Sequence, residues 1–202
     1  MAYDTYMASY LSGATVDQLR HWARKKILVP EVNDHRPLLY SFRDIVAFRA
    51  VAKLRAFTSL QRISKALKTL KDQDFTDHLS AYRFGFDGRS IKLWTDDELL
   101  DIDKNPGQFE MYTFEDIYKP FENFNHRLVP ALLEPSPGIT VNPSIMGGTP
   151  TVNGTRTSFD TLLNFTEDIE SDEELEDVFP FLTMEDVKNA RSFKTSLDEL
   201  VA

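Results

Sequence analysis

The chain has 202 residues, 42% of them apolar and 12% aromatic, enough for two small domains with packed cores. It has no cysteine, which excludes disulfides, thiolate metal sites and thiol redox switching. No apolar run reaches the ~18 residues of a membrane span, and MAYDTYMASY lacks a basic stretch followed by an apolar one, so a cytoplasmic location is expected. The net charge of −9 is unevenly spread: residues 1–72 hold thirteen Lys/Arg against six Asp/Glu (+7), and residues 73–202 hold ten against twenty-six (−16). A basic end suited to an anionic partner is therefore joined to an acidic end with a different task.

The first element predicted is a helix over Thr5–Leu11, with Met7, Ala8 and Leu11 on one face. Ser12-Gly13-Ala14 makes a tight turn, and Thr15 caps a second helix to Lys26, with Gln18 completing a capping box. Val16, Leu19 and Trp22 form its apolar stripe. Ile27–Pro30 and Pro37–Tyr40 flank the polar segment Glu31–Arg36 and predict a short hairpin with a loose tip. Ser41 caps a third helix to Phe57, apolar at Phe42, Ile45, Val46, Val51 and Leu54. Thr58 or Ser59 caps a fourth, carrying Leu60, Ile63, Leu67 and Leu70.

A small α+β insert is predicted over 75–128, with strands at Leu79–Phe86 and Ser90–Trp94 around Asp87-Gly88, a third at Phe109–Tyr112 and a helix at Phe114–Phe121. Residues 129–138, with three prolines, read as a linker. Ile139–Val141 is a candidate strand, and Asn142–Arg156 is dense in turn signals. Three short capped helices follow: Thr157 or Ser158 to Phe165, Ser171 (with Glu174 as a capping box) to Val178, and Thr183 to Phe193. The expected fold is mainly α with small β elements. It comprises an N-terminal winged helix-turn-helix over 1–74, the insert, the linker, and a C-terminal trihelical, homeodomain-like domain over 139–202.

The second helix carries the first candidate chemistry. Gln18, His21, Lys25 and Lys26 lie on its exposed side, with Arg20 and Arg24 beside them. Cations that meet phosphates, together with polar groups that reach base edges, are what a recognition helix needs. The bland alternative is a basic solvated surface on which Gln18 serves only its cap. The hairpin and third helix that follow favour recognition.

The order Ser12-Gly13, Leu19-Arg20-His21-Trp22, Ile27-Leu28-Val29-Pro30, Tyr40-Ser41-Phe42-Arg43-Asp44-Ile45-Val46 and Thr58-Ser59-Leu60-Gln61-Arg62-Ile63 resembles the MerR-type winged helix over residues 1–72. The resemblance implies recognition-helix contacts from Arg20 and Arg24 and wing contacts from His35, Arg36 and Tyr40. Thr15 and Arg43 complete the candidate DNA-contacting set. Two departures stand out: Lys26 replaces the glycine usual after the recognition helix, and the wing is not strongly arginine-rich. Helical spacing also fades after Leu70, where the family places a long dimerising coiled coil, and the cysteines of its metal sensors are absent.

Gly147-Gly148-Thr149-Pro150 and Val152-Asn153-Gly154-Thr155-Arg156, followed by Phe179-Pro180-Phe181-Leu182-Thr183 and Asp186, resemble the family called domain of unknown function 433, over roughly 139–195. Domains of that family occur as antitoxins beside PIN-like ribonuclease toxins. A MerR-like helix-turn-helix joined to one resembles the VapB-type antitoxins that repress their own operon.

Physically, Asn153-Gly154 suits a type I′ turn, and the glycines match no phosphate-binding loop spacing. Arg156 is expected to brace the turn or pair with a carboxylate. The acidic cluster Glu167, Asp168, Glu170, Asp172, Glu173, Glu174, Glu176 and Asp177 is either a solvated face or a surface for a basic partner. With Arg156 it forms the candidate partner-binding set.

His21, His35, His78 and His126 lack ligand spacing, and no nucleophile elbow or H-E-x-x-H occurs, so neither catalysis, a metal nor a cofactor is expected. The reading that results is a homodimeric antitoxin. It binds its own operator as duplex DNA and neutralises a PIN-like ribonuclease toxin. The alternative is a stand-alone MerR-like regulator whose C-terminal domain senses a ligand or dimerises.

Overall fold

The computed structural model describes residues 2–72, 78, 80, 83–86, 91–94, 99–101 and 114–200. Two compact units are present, residues 2–129 and 130–202.

The first unit begins with α1 (Thr5–Ser12), capped by Asp4 and closed by Gly13 in the left-handed region at φ 78°. A side chain at Gly13 would stand 2.3 Å from a Val129 methyl, so glycine is needed both for the turn and for close packing. The second helix, α2 (Val16–Arg24), has the predicted Thr15–Gln18 capping box and buries Leu19 and Trp22. It ends two residues before the predicted Lys26, because Lys26 adopts φ 54° and breaks the helical path.

The wing corrects a second expectation. Where paired strands were predicted, only isolated bridges form, Asn33 with Leu39 and Tyr40 with Tyr3. Pro30 and Pro37 have no N–H to donate, so a ladder cannot extend along this hairpin. The loop is held instead by side chains: Asn33 Nδ2 donates to the Pro37 carbonyl at 2.7 Å. Asp44, buried in the first turn of α3 (Phe42–Phe57), accepts from the backbone N–H groups of Ser41 at 2.8 Å and Glu31 at 2.9 Å.

The helix α3 is buried on nearly every side from Asp44 to Leu54, including Ala47, Phe48 and Ala50, which lie outside the predicted stripe. Its far side is covered by α5 (Phe114–Tyr118). Between them Arg49 is fully buried and donates to three carbonyls, of Leu11 at 2.5 Å, Ile117 at 2.6 Å and Lys119 at 2.8 Å. All three lie at the C-terminal ends of α1 and α5, where helix carbonyls lack intrahelical partners and the dipole is negative. Burial pulls the Arg49 pKa down to about 9, which still leaves it charged at neutral pH.

The remaining elements of this unit are α4 (Leu60–Asp72), an antiparallel sheet β1-β2-β3 (Arg83–Phe86, Ile91–Trp94, Leu99–Asp101) and a hairpin of β4 (Phe121–Glu122) with β5 (Leu128–Val129). The strand β3 was not anticipated. The predicted Asp87-Gly88 turn and the predicted strand Phe109–Tyr112 lie outside the described residues.

The second unit opens with segment 130–138, in which Leu132 is fully buried and Leu133 accepts from the Val141 N–H at 2.8 Å. Strands β6 (Ile139–Thr140) and β7 (Thr151–Val152) pair antiparallel, Ile139 opposite Val152. Asn153 and Gly154 both take positive φ, and the Thr155 N–H donates to the Val152 carbonyl at 2.9 Å, the tight turn read from their sequence. Helices α6 (Phe159–Phe165), α7 (Asp172–Val178) and α8 (Met184–Asp198) follow, capped by Ser158, Ser171 and Thr183. The Glu174 carboxylate accepts from the Glu170 N–H rather than closing a box with Ser171. The core gathers Ile139, Val152, Leu162, Leu175 and Val187 around an edge-to-face pair of Phe159 and Phe193, 4.9 Å apart. Asp186, buried at the start of α8, accepts from the Thr183 N–H at 2.9 Å and from the Asn153 amide, tying the turn to the helix.

Two predictions follow from this packing. Arg49→Met leaves three carbonyls without their donor, those of buried Leu11 and Ile117 among them, and should destabilise residues 2–129 by about 3 kcal/mol or more in urea titration. A loss below about 1 kcal/mol would contradict the role given to Arg49. Lys26→Gly relieves the left-handed strain and should stabilise by about 1 kcal/mol, read as a raised melting temperature.

Candidate nucleic-acid interface

Helix α2 and the wing together form an open cleft of about 970 Å³. Arg20, Ala23 and Arg24 line one wall and Asp34, His35, Arg36 and Pro37 another, with Asp4, Thr5 and Tyr6 at its end. The fold thus brings together Arg20, Arg24, His35 and Arg36, which are distant in sequence. Arg20 and Arg24 are one turn apart on the helix and both are exposed. Their local partners are weak: Arg20 lies 3.9 Å from exposed Asp17, Arg24 lies 3.4 Å from His21 Nδ1, and His35 lies 3.1 Å from Asp34. Exposed pairs of this kind are worth little and can exchange for phosphate.

The other candidates separate by what their side chains already do. Lys25 and Lys26 are exposed at the end of α2, continuing the basic face. Thr15 and Gln18 cap α2, with the Gln18 N–H donating to Thr15 Oγ1 at 3.1 Å and the Thr15 N–H to Gln18 Oε1 at 2.9 Å. Arg43, which is exposed, pairs with Glu31 at 3.2 Å. Tyr40 needs a correction: it is fully buried edge-on against Phe48, because its backbone pairs with Tyr3, and its side chain is not on offer to DNA. Burial raises its pKa.

Sequence reasoning missed Thr5 and Tyr6 on the cleft wall. Helical spacing marks only the apolar face of α1, whereas Thr5 and Tyr6 lie off it and bring hydroxyls to the cleft.

Among the described residues one cluster has metal-ligand chemistry, Glu31, Asp44 and His78. Its groups are already engaged. Asp44 caps α3 and lies 3.1 Å from His78 Nε2, while Glu31 accepts from Ser41 Oγ and faces the Arg43 guanidinium. A cation there would compete with Arg43, and the cluster is a structural clasp between wing and helix.

In the second unit all eight acidic candidates are exposed. Asp172 accepts from the Met184 N–H at 2.8 Å and Glu174 from the Glu170 N–H at 3.1 Å, so these two serve the fold. Asp172, Glu173 and Glu174 also complement the positive end of α7. Glu176 and Asp177 sit at the opposite end of the same helix, where negative charge is unfavourable, and stability does not account for them.

The sequence reading also missed the apolar groups between the acids. Phe181 is 87% exposed and Phe165 is 65% exposed, and Phe165 meets Phe179 edge-to-face at 6.3 Å. In sequence, Phe179-Pro180-Phe181 presents only a helix entry. Arg156 is exposed and makes no ion pair among the described residues, contrary to the expectation that it braces the turn or meets a carboxylate.

No match is found among curated proteins. The fold resembles a solved structure described as the X-ray crystal structure of Rv2018 from Mycobacterium tuberculosis, with a TM-score of 0.54 at 13% identity, covering 93% of this chain and 95% of that one. Residues 139–193 match the family described as protein of unknown function (DUF433). Residues 4–70, which carry the cleft between α2 and the wing, match the MerR HTH family regulatory protein family. Two separate segments of the chain are thus similar to known families, the first to MerR HTH regulatory proteins and the second to DUF433.

Proposed function

We propose that the protein is a homodimeric repressor and antitoxin. In this reading α2 of each protomer enters the major groove of a two-fold symmetric operator in its own promoter, and the acidic second unit blocks a PIN-like ribonuclease toxin encoded nearby. The observation that carries the DNA half is the clustering of Arg20, Arg24, His35 and Arg36 around one open cleft. A recognition helix with an arginine-bearing wing beside it positions a protein on duplex DNA through phosphates and leaves the helix face to read bases.

The partner half rests on the resemblance of residues 139–195 to antitoxin domains, and two surface features support it. Exposed aromatics are what interface anchors are made from, and Phe165 and Phe181 are large and solvent-facing. Acidic residues flank them in sequence, Glu167 and Asp168 after Phe165 and Glu176 and Asp177 before Phe179, which suits a basic groove built for RNA. The alternative is a stand-alone regulator that uses the same aromatic face to dimerise or to sense a ligand.

Fluorescence anisotropy with a duplex from the promoter tests the DNA half. Three arginine contacts per protomer, six per dimer, imply a log–log salt slope of about −5, and a flat response would sink the interface. Arg24→Glu should abolish binding while leaving the melting temperature unchanged. Phe181→Ser should leave DNA affinity unchanged and weaken capture of the toxin.

A further inference from the structure

The β4–β5 hairpin has no part in the function described so far. Its turn, residues 123–127, is fixed to the helix-turn-helix at two points. Asn123, which is buried, donates from Nδ2 to the Gly13 carbonyl at 2.8 Å, in the turn between α1 and α2. The guanidinium of Arg55 stacks over the Phe124 ring at 4.6 Å. Val129, at the base of the hairpin, packs so tightly on Gly13 that no side chain fits between them. The Asn123 carboxamide also orders the tip, since its Oδ1 accepts from the N–H groups of Asn125 at 3.0 Å and Arg127 at 3.1 Å.

The hairpin's position relative to α2 is informative. Phe124 and Asn125 share a narrow crevice with Gln18 and Trp22. The wing shares its cleft with Arg20, Ala23 and Arg24. At about 100° per residue, Gln18 and Arg20 mark opposite borders of the exposed face of α2, and Asp17, His21, Arg24 and Lys25 lie between them. The recognition face is therefore bordered by the wing on one side and by this hairpin on the other.

The tip offers donors. Asn125 and His126 are exposed, and the Arg127 side chain makes no ion pair among the described residues. His126 pairs through Nδ1 with Glu122 at 2.5 Å, which leaves Nε2 outward.

We propose that the β4–β5 hairpin is a second DNA-contacting arm that grips the sugar–phosphate backbone on the flank of α2 opposite the wing. The inference rests on the DNA-binding reading above. In it, Asn125 and Arg127 donate to phosphates and set register without reading sequence.

The test uses the full chain and a duplex selected by the wild-type protein from a random-sequence library. Hydroxyl-radical footprinting and salt-dependent anisotropy are then compared for wild type and the Asn125→Asp/Arg127→Ala double variant, whose fold is checked by its melting temperature. The expected result is loss of backbone protection on one flank only, about tenfold weaker binding, and a salt slope shallower by about one unit per protomer. Arg36→Glu, in the wing, should remove protection on the other flank. An unchanged footprint and slope in the double variant would overturn the arm while leaving the DNA-binding reading in place. Failure of the wild-type chain to select any duplex would overturn both.

Discussion

A guanidinium taken out of water without a carboxylate beside it is costly, and it persists only where each of its nitrogens finds an acceptor. Arg49 meets that condition through the unpaired ends of two helices. It closes the C-terminus of α1 through Leu11 and that of α5 through Ile117 and Lys119. It also stacks over Phe121, 5.1 Å from the ring centroid, at the base of the β4–β5 hairpin. One buried cation thus positions the helix that leads into the turn, the helix covering the far side of α3, and the hairpin that buttresses Gly13. Lys53, which donates to the Asp116 carbonyl, and Arg55, which stacks over Phe124, add to this anchoring of segment 114–129 on α3.

The functional surfaces follow from this arrangement. Because α3 is held from behind, its front can carry α1, and α1 can carry α2 at a fixed angle. Asp44 gives the wing a comparable anchor through Glu31 and Ser41, so arginines far apart in sequence face one cleft. The second unit has a different logic. Its core is small and apolar, its loops are clamped by Asp186 and Asn153, and its exposed face mixes carboxylates with phenyl rings. The charge asymmetry follows the helix-turn-helix rather than the units: residues 1–72 carry +7, the whole of 2–129 carries nineteen Lys/Arg against eighteen Asp/Glu, and 130–202 carries four against fourteen.

Features encoded within three or four residues were legible from the sequence. The Thr15–Gln18 box, the Ser41 and Thr183 caps and the Asn153-Gly154 turn all depend on local hydrogen bonds, and they stand where spacing places them. Features that depend on distant partners were not. Arg49 finds its acceptors 38 to 70 residues away, so it reads in sequence as one more surface cation of an amphipathic helix. Tyr40 looks like a wing residue until its backbone pairs with Tyr3 and buries the ring. The wing strands fail for a reason that could have been read, the missing N–H groups of Pro30 and Pro37. Phe165 and Phe181 are apolar, and apolar residues in a helical pattern suggest core. Their exposure appears only once the inward positions are filled by Phe159, Leu162 and Phe193.

The central claim is that the basic helix-turn-helix serves an operator while the acidic second unit serves a protein. Affinity purification of the tagged chain expressed from its native operon, with mass spectrometry of what elutes, tests it most directly. The account predicts a near-stoichiometric small basic ribonuclease that is silent in the complex and active once dissociated. Recovery of the chain alone, still bound to promoter DNA, would contradict the antitoxin role and assign the aromatic face to dimerisation or sensing.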